Sequence, residues 1–199
     1  HCLVVNSGRD KTTLERWLGG LGADLAAEHG VWVKRGPDWY KNEGLKTAWK
    51  AKIRQVLQNV VERTPGSFIE EKDYSLAWHY RRIDRDLGEK RVREFRDVLL
   101  YLTANLDLQV LEGNKVVEIK NAGVNKGKAS LNWLNEGPYD FILAIGDDHT
   151  DEDIFAVLPT DAYSIKVGLE QTKARFNLTS VEEVRGLLKE MVEERANQV

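Results

Sequence analysis

The sequence predicts an α/β fold with a smaller α+β unit inserted into it, and three stretches carry that expectation. The apolar run Phe141-Ile142-Leu143-Ala144-Ile145 stops at Gly146, and five carboxylates follow within seven residues, from Asp147 to Asp153. A second apolar run, Cys2-Leu3-Val4-Val5, breaks at Ser7-Gly8 and is followed by a helical pattern. Between them, residues 44–119 read as helix, strand, strand, helix, strand, strand, an order that is self-contained. Strands that are apolar throughout belong to parallel sheets covered on both faces. In open α/β sheets ligands bind at the carboxyl ends of such strands.

Composition narrows the function. With 29 basic against 32 acidic residues the net charge is −3, which gives a nucleic-acid partner no support. No apolar run approaches the roughly 18 residues of a membrane span, and no charged-then-apolar leader opens the chain. The single cysteine, Cys2, excludes an internal disulfide and reads as a buried strand residue. These features fit a cytoplasmic protein.

In chain order, the run at residues 2–5 is a short buried strand. The helix after the Ser7-Gly8 turn places Leu14, Trp17 and Leu18 on one face. A strand-turn-helix of this kind offers a hydroxyl and backbone N–H groups to a phosphate. A second strand, Asp24-Leu25-Ala26-Ala27, ends at Glu28-His29-Gly30, where His29 reads as a hydrogen-bonded histidine at a strand end. No metal-ligand spacing joins His1, His29, His79 and His149. The break at Arg35-Gly36-Pro37 ends the first part of the core at residue 37.

Residues 38–121 form the inserted unit. Leu45, Trp49, Ile53, Val56 and Val60 recur at helical spacing over 44–63, and Thr64-Pro65-Gly66 stops that helix. Strands follow near 67–71 and 75–80. A second helix, over about 89–103, carries Val92, Phe95, Val98, Leu99 and Leu102. Strands near 108–112 and 115–119 flank Gly113-Asn114, a hairpin dipeptide. Asp84-Arg85-Asp86 follows a half-polar strand and reads as a turn and helix start.

Residues 122–199 return to the core. Lys126 opens a helix carrying Ala129, Leu131 and Leu134. A cation in a first turn opposes the helix dipole, so some other force must hold it there. At the acidic loop two readings stand side by side. Clustered carboxylates at a strand end suit a hard divalent cation such as Mg²⁺; Thr150 followed by Asp151, Glu152 and Asp153 also makes a helix N-cap with a favourable acidic first turn. Asp147 and Asp148 precede that cap and are not explained by it. Beyond them Tyr163–Gly168 reads as a core strand. Ser180-Val181-Glu182-Glu183 is a capping box that opens a last helix, with Val184, Leu187, Leu188 and Met191 turned inward.

Five stretches, in order, resemble one family. These are Ser7-Gly8-Arg9-Asp10, Glu70-Glu71-Lys72, Trp78-His79-Tyr80-Arg81, Asn125-Lys126-Gly127, and Gly146-Asp147-Asp148 continuing through Thr150-Asp151-Glu152-Asp153. The pattern is similar to that of the trehalose-6-phosphate phosphatases, members of the haloacid-dehalogenase (HAD) superfamily. The resemblance implies a HAD-like, Rossmann-type three-layer core with an α+β cap, and Mg²⁺-dependent hydrolysis of trehalose 6-phosphate to trehalose and phosphate. It gives Ser7 the phosphoryl group and Lys126 the charge shared by phosphoryl group and carboxylates. Asp147 and Asp151 take the metal, with Asp148 a second candidate ligand. Glu70, Lys72, Arg81 and Glu118 grip the sugar. From the residues alone, alternating charges on these strands equally suit a solvated sheet face.

One part of the family pattern has no counterpart here: the Asp-x-Asp motif of the first core strand, which supplies the attacking aspartate. The resemblance therefore implies an aspartyl-phosphate whose aspartate lies outside these residues, with an upstream trehalose-phosphate synthase domain compatible with a longer parent chain. Two other readings accompany it. One is a catalytically inactive sugar-phosphate-binding or regulatory domain, and the other a HAD phosphatase for a different sugar phosphate, such as sucrose 6-phosphate.

Overall fold

A computed structural model describes residues 2–196, so His1 lies outside the described residues. The chain divides into two compact units, His1–Asn125 and Lys126–Val199.

The first unit contains two sheets. One has the order β1-β2-β3-β4, formed by Val4–Asn6, Asp24–Ala27, Trp32–Arg35 and Asp38–Lys41. β1 and β2 are parallel, and β2, β3 and β4 are antiparallel neighbours. Helix α1, Lys11–Leu18, connects β1 to β2 and is capped by Asp10, whose carboxylate accepts from the Thr13 backbone N–H. Leu14 is its one buried residue and packs with Leu25 and Ala27. Trp17 does not join them, being half exposed and lying under the Arg9 guanidinium at 4.7 Å. Cys2 is exposed rather than buried, because the regular strand begins only at Val4. Asp38–Lys41 pair with β3 and so belong to this sheet.

The second sheet has the order β5-β6-β8-β7, all antiparallel: Phe68–Glu71, Ser75–His79, Val116–Asn121 and Leu108–Gly113. Helices α2 (Trp49–Glu62) and α3 (Arg85–Thr103) cover one face. The period of two along a strand puts Leu76 and Trp78 of β6 and Val117 and Ile119 of β8 on that covered face. They form one core with Ile53 and Leu57 of α2 and Phe95 and Leu99 of α3. α2 starts at Trp49 and not at residue 44. The Asn121 side chain accepts from Lys46 N–H and donates to Lys46 C=O, which holds this segment outside the helix. α3 begins at Arg85 because the Asp84 carboxylate takes the N–H groups of Asp86 and Leu87. The hairpin turn between β7 and β8 falls on Asn114 and Lys115, Lys115 having φ 63°.

The opposite face of this sheet is polar. Glu70 stands opposite Ala77, and Ala77 opposite Glu118, so the two glutamates share one row and one face.

The second unit is built on a parallel sheet of order β11-β10-β9, from Phe176–Leu178, Tyr163–Val167 and Leu143–Gly146. β9 starts at Leu143, two residues beyond the onset of the apolar run, and Phe141 is exposed. Helix α4, Lys126–Leu134, buries Ala129 and Trp133, and α5 is the short Glu152–Phe155. Helix α6, Val181–Ala196, opens at Ser180, whose hydroxyl accepts from Glu183 N–H while the Glu183 carboxylate accepts from Thr179 N–H. Its inward stripe is only partly realised: Val184 and Leu187 are half-buried, whereas Leu188 and Met191 are exposed.

Candidate active site

The acidic loop is organised from within by Asp151. It is 5% exposed and lies in the one-turn 3₁₀ segment that follows β9. Its Oδ2 accepts from the backbone N–H groups of Asp147 (3.0 Å) and Asp148 (2.9 Å). Its Oδ1 receives the Lys126 ammonium at 2.7 Å. This ion pair is the force that keeps a lysine in the first turn of α4 against the helix dipole. Both side chains are over nine-tenths buried, so each charge depends on the other for its compensation.

Gly146 makes the arrangement possible, since a Cβ there would collide with the Cβ and carboxyl carbon of Asp151. The N-cap of the turn is Asp148, not Thr150, in a reciprocal capping box with Asp151. Thr150 is buried and its hydroxyl makes no hydrogen bond. The Asp148 carboxylate also binds the His149 ring at Nδ1, 2.7 Å away. Burial alone would raise the Asp148 pKa, but the bonds from His149 and the charge of Lys126 bring it below the usual carboxylate range.

Among the described residues, no three of His, Cys, Asp and Glu come together as a metal-binding group. Asp151, a candidate ligand from sequence, has both oxygens engaged by Lys126 and two amides. Asp147 and Asp148 remain exposed neighbours. One or two hard carboxylates are the usual protein share for Mg²⁺, which keeps several waters and takes phosphate oxygens for the rest. The donor chemistry of this pair fits that ion.

Sequence reading missed Lys166. It is 4% exposed, at the end of β10, and its ammonium donates to the Asp147 carbonyl oxygen. The signal was a lysine inside the otherwise apolar strand Ser164-Ile165-Lys166-Val167.

In the first unit, Ser7 follows β1 and is partly buried, its hydroxyl accepting from Arg9 N–H at 3.2 Å. Lys72 and Glu118 are brought together at 2.9 Å. Glu118 also receives the Ser75 hydroxyl at 2.7 Å and meets His29 Nε2 at 3.2 Å. Burial would push its carboxyl up, yet the His29 bond and the Lys72 charge prevail and hold it far below the ordinary range. Glu70 pairs with His79 at 2.7 Å on the same sheet face, at its β5 edge. Arg81 stands apart, exposed and donating to the Asn114 carbonyl. The expected set therefore resolves into a buried Lys72–Glu118 pair, a half-exposed Glu70 and an outlying Arg81.

A parallel strand that ends in an acidic loop, a buried lysine–aspartate pair beside it, and an α+β sheet backed by two helices define the class. This is the HAD-like α/β phosphatase fold. The chain belongs to the trehalose-phosphatase family, whose sequence profile matches residues 1–185.

Among its relatives, the bifunctional trehalose-6-phosphate synthase/phosphatase of Thermoproteus tenax is 39% identical over 190 residues, spanning 95% of this chain and 26% of that protein. The trehalose-phosphatase of Saccharomyces cerevisiae is 38% identical over 182 residues, spanning 78% of this chain and 20% of that protein. The solved C-terminal domain of the C. albicans trehalose-6-phosphate phosphatase superposes with a TM-score of 0.85 at 30% identity, covering 92% of this chain and 75% of that one. The chain spans about a quarter or less of the length of these curated relatives.

Proposed function

We propose that this chain is the phosphatase part of a trehalose-6-phosphate phosphatase, releasing phosphate and trehalose with Mg²⁺ as cofactor. The observation that carries the reading is the buried Lys126–Asp151 pair, which presents a fixed cation beside Asp147 and Asp148 at the end of a parallel strand. Asp147 and Asp148 would hold the metal, and Asp151 sets their backbone. When bound, Mg²⁺ supplies charge neutralisation on the phosphoryl oxygens.

The residues of the chain divide the remaining work. The Ser7 hydroxyl donates to the phosphoryl group, and the Lys126 ammonium balances charge that builds up as the bond to phosphorus breaks. An aspartate of the Asp-x-Asp motif, which has no counterpart among these 199 residues, would attack phosphorus as the bond to the sugar oxygen breaks; the second aspartate of that motif would protonate the departing trehalose, and water would then release phosphate from the aspartyl-phosphate. Of residues 38–121, the part beyond β4, from α2 to β8, acts as the lid. On it Glu70 and Glu118 accept from sugar hydroxyls, and Lys72 and Arg81 donate to them. An upstream synthase domain in the parent chain and a cytoplasmic setting complete the reading. The T. tenax relative, named for both synthase and phosphatase activities, supports the former; the latter accords with the lack, among the described residues, of a helix long and apolar enough to cross a membrane.

The test is phosphate release from trehalose 6-phosphate by the parent chain that carries the attacking aspartate, with Mg²⁺ and then with excess chelator, beside sucrose 6-phosphate as competitor. Metal-dependent release that prefers the trehalose ester is expected. Binding without turnover supports the regulatory alternative, and preference for the sucrose ester overturns the substrate assignment.

A further inference from the structure

The turn between β2 and β3 is the most strained backbone among the described residues, and nothing in the phosphatase chemistry above uses it. Glu28, His29 and Gly30 adopt φ of 48°, 60° and 103° in succession. Two consecutive non-glycine residues in the left-handed region persist only where their surroundings hold them there. Both are buried, Glu28 at 2% and His29 at 6% exposure.

Their partners lie in two places. Towards the first sheet, Glu28 N–H donates to Arg9 C=O and His29 N–H to Ser7 C=O. Towards the lid, the Glu28 carboxylate accepts from the backbone N–H groups of Asp73 (3.2 Å) and Tyr74 (3.0 Å), in the β5–β6 turn. The His29 ring meets Glu118 on β8. The ring rests so closely over Gly8 that a Cβ there would stand 2.7 Å from its Nε2. Lys72 closes the circuit, its ammonium bridging Glu118 and the Gly8 carbonyl at 2.9 Å each.

Building on the trehalose-6-phosphate reading, we propose that Glu28 and His29 are positioning residues that dock the lid onto the Ser7–Arg9 segment and so set Lys72 and Glu118 for the sugar. Lys72 and Ser75 both bond one oxygen of Glu118 and His29 the other, so a sugar hydroxyl that reaches the second oxygen shares it with His29. His29 is the partner contributed from outside the lid strands and loops, and it is therefore the one that couples sugar binding to docking. Two backbone amides held by one buried carboxylate fix the lid turn in position, and the Trp32 indole, which donates to the Asp73 carboxylate at 3.0 Å, holds it from the first sheet.

The experiment is amide hydrogen exchange on the full chain, paired with calorimetric titration of trehalose 6-phosphate, for Glu28→Ala, Glu28→Gln and His29→Asn. Asn tolerates the left-handed backbone; Gln keeps one acceptor oxygen, enough for one of the two amides, while its NH2 group faces the other donor. Glu28→Ala is expected to lose protection at the Asp73 and Tyr74 amides and to weaken sugar-phosphate binding by about tenfold, with protection recovered at only one of the two amides in Glu28→Gln. His29→Asn weakens binding similarly but leaves those amides protected. Leu57 and Leu99 amides, in the lid helices, keep their protection throughout.

Unchanged protection at Asp73 and Tyr74 in Glu28→Ala overturns the proposal. So does unchanged affinity in both Glu28→Ala and His29→Asn, or a loss of protection that extends to Leu57 and Leu99, which would make the turn a general fold support. If the wild-type chain binds no trehalose 6-phosphate, the functional reading falls, and exchange at Asp73 and Tyr74 decides the docking role by itself.

Discussion

Lys126 and Asp151 meet at 2.7 Å with both side chains over nine-tenths buried, and the same aspartate ties down the amides of Asp147 and Asp148. The pair thus links the start of one helix to the shape of the acidic loop. Removing one partner leaves the other charged and buried. Lys126→Met is expected to destabilise the fold by about 3–5 kcal/mol, measured by urea unfolding. The double variant Lys126→Met/Asp151→Asn should recover part of that loss, because the uncompensated charge is gone.

Gly146→Ala tests the same loop from the backbone side. Its new methyl group would strike Asp151, so Asp151 must move and the Lys126 contact opens. A loss of about 1–3 kcal/mol in unfolding free energy is expected, typical of an overpacked site, together with loss of phosphate release. A variant with full activity and wild-type stability would contradict the close approach.

The exposed Asp147 should behave differently from the buried Asp151. Asp147→Asn is expected to change stability by no more than about 0.5 kcal/mol while abolishing the Mg²⁺ requirement together with activity. Titration with Mn²⁺ followed by electron paramagnetic resonance reads the metal directly. Asp148→Ala also removes an N-cap and costs about 1 kcal/mol as well.

Acid titration separates two glutamates of opposite sign. The Glu118 pKa is lowered in the folded chain, from an ordinary 4.5. Its contribution is therefore complete above that value and is lost as pH falls through the folded pKa. Glu118→Gln should flatten the acid limb of the stability curve. Glu28 is raised above 4.5, chiefly by burial, against the amide bonds from Tyr74 and Asp73 that lower it. The folded chain then holds the Glu28 proton more tightly than the unfolded chain, so stability falls as pH rises from 4.5 through the folded pKa. Glu28→Gln should remove that fall. Unfolding free energies from pH 3 to 7 for the three proteins check both signs.

Much of the architecture was readable from local pattern. The helix-strand-strand order found twice between α2 and β8, the turn and helix start at Asp84, and the strand ending at Gly146 all appear where apolar periodicity and turn chemistry place them. Element ends were less readable. α2 begins at Trp49 because a side chain from residue 121 captures Lys46, a partner 75 residues away that no local window contains. The fully buried Leu57 lay outside the expected stripe of α2, which named Val56 and Val60. Strand β11 was not foreseen, since Phe176-Asn177-Leu178 is too short to show a period.

The candidate site divides in the same way. From the residues alone Asp147 and Asp148 stood out at the strand end; the family resemblance added Ser7, Lys126 and Asp151, and the dipole argument required some other force to hold Lys126. Which of the five nearby carboxylates supplies it was decided by the tertiary structure, because Gly146 lets Asp151 alone fold back under the loop. The family resemblance likewise marked Glu118, on a strand, and Lys72, in a turn, without saying what they touch. Their burial against His29, and the approach of Lys72 to Gly8, arise only when segments far apart in the chain pack together. Sequence determines periodicity, caps and turns because those interactions span a few residues. Which charges are buried, and with what partners, depends on contacts across dozens of residues, and there the packed chain decides.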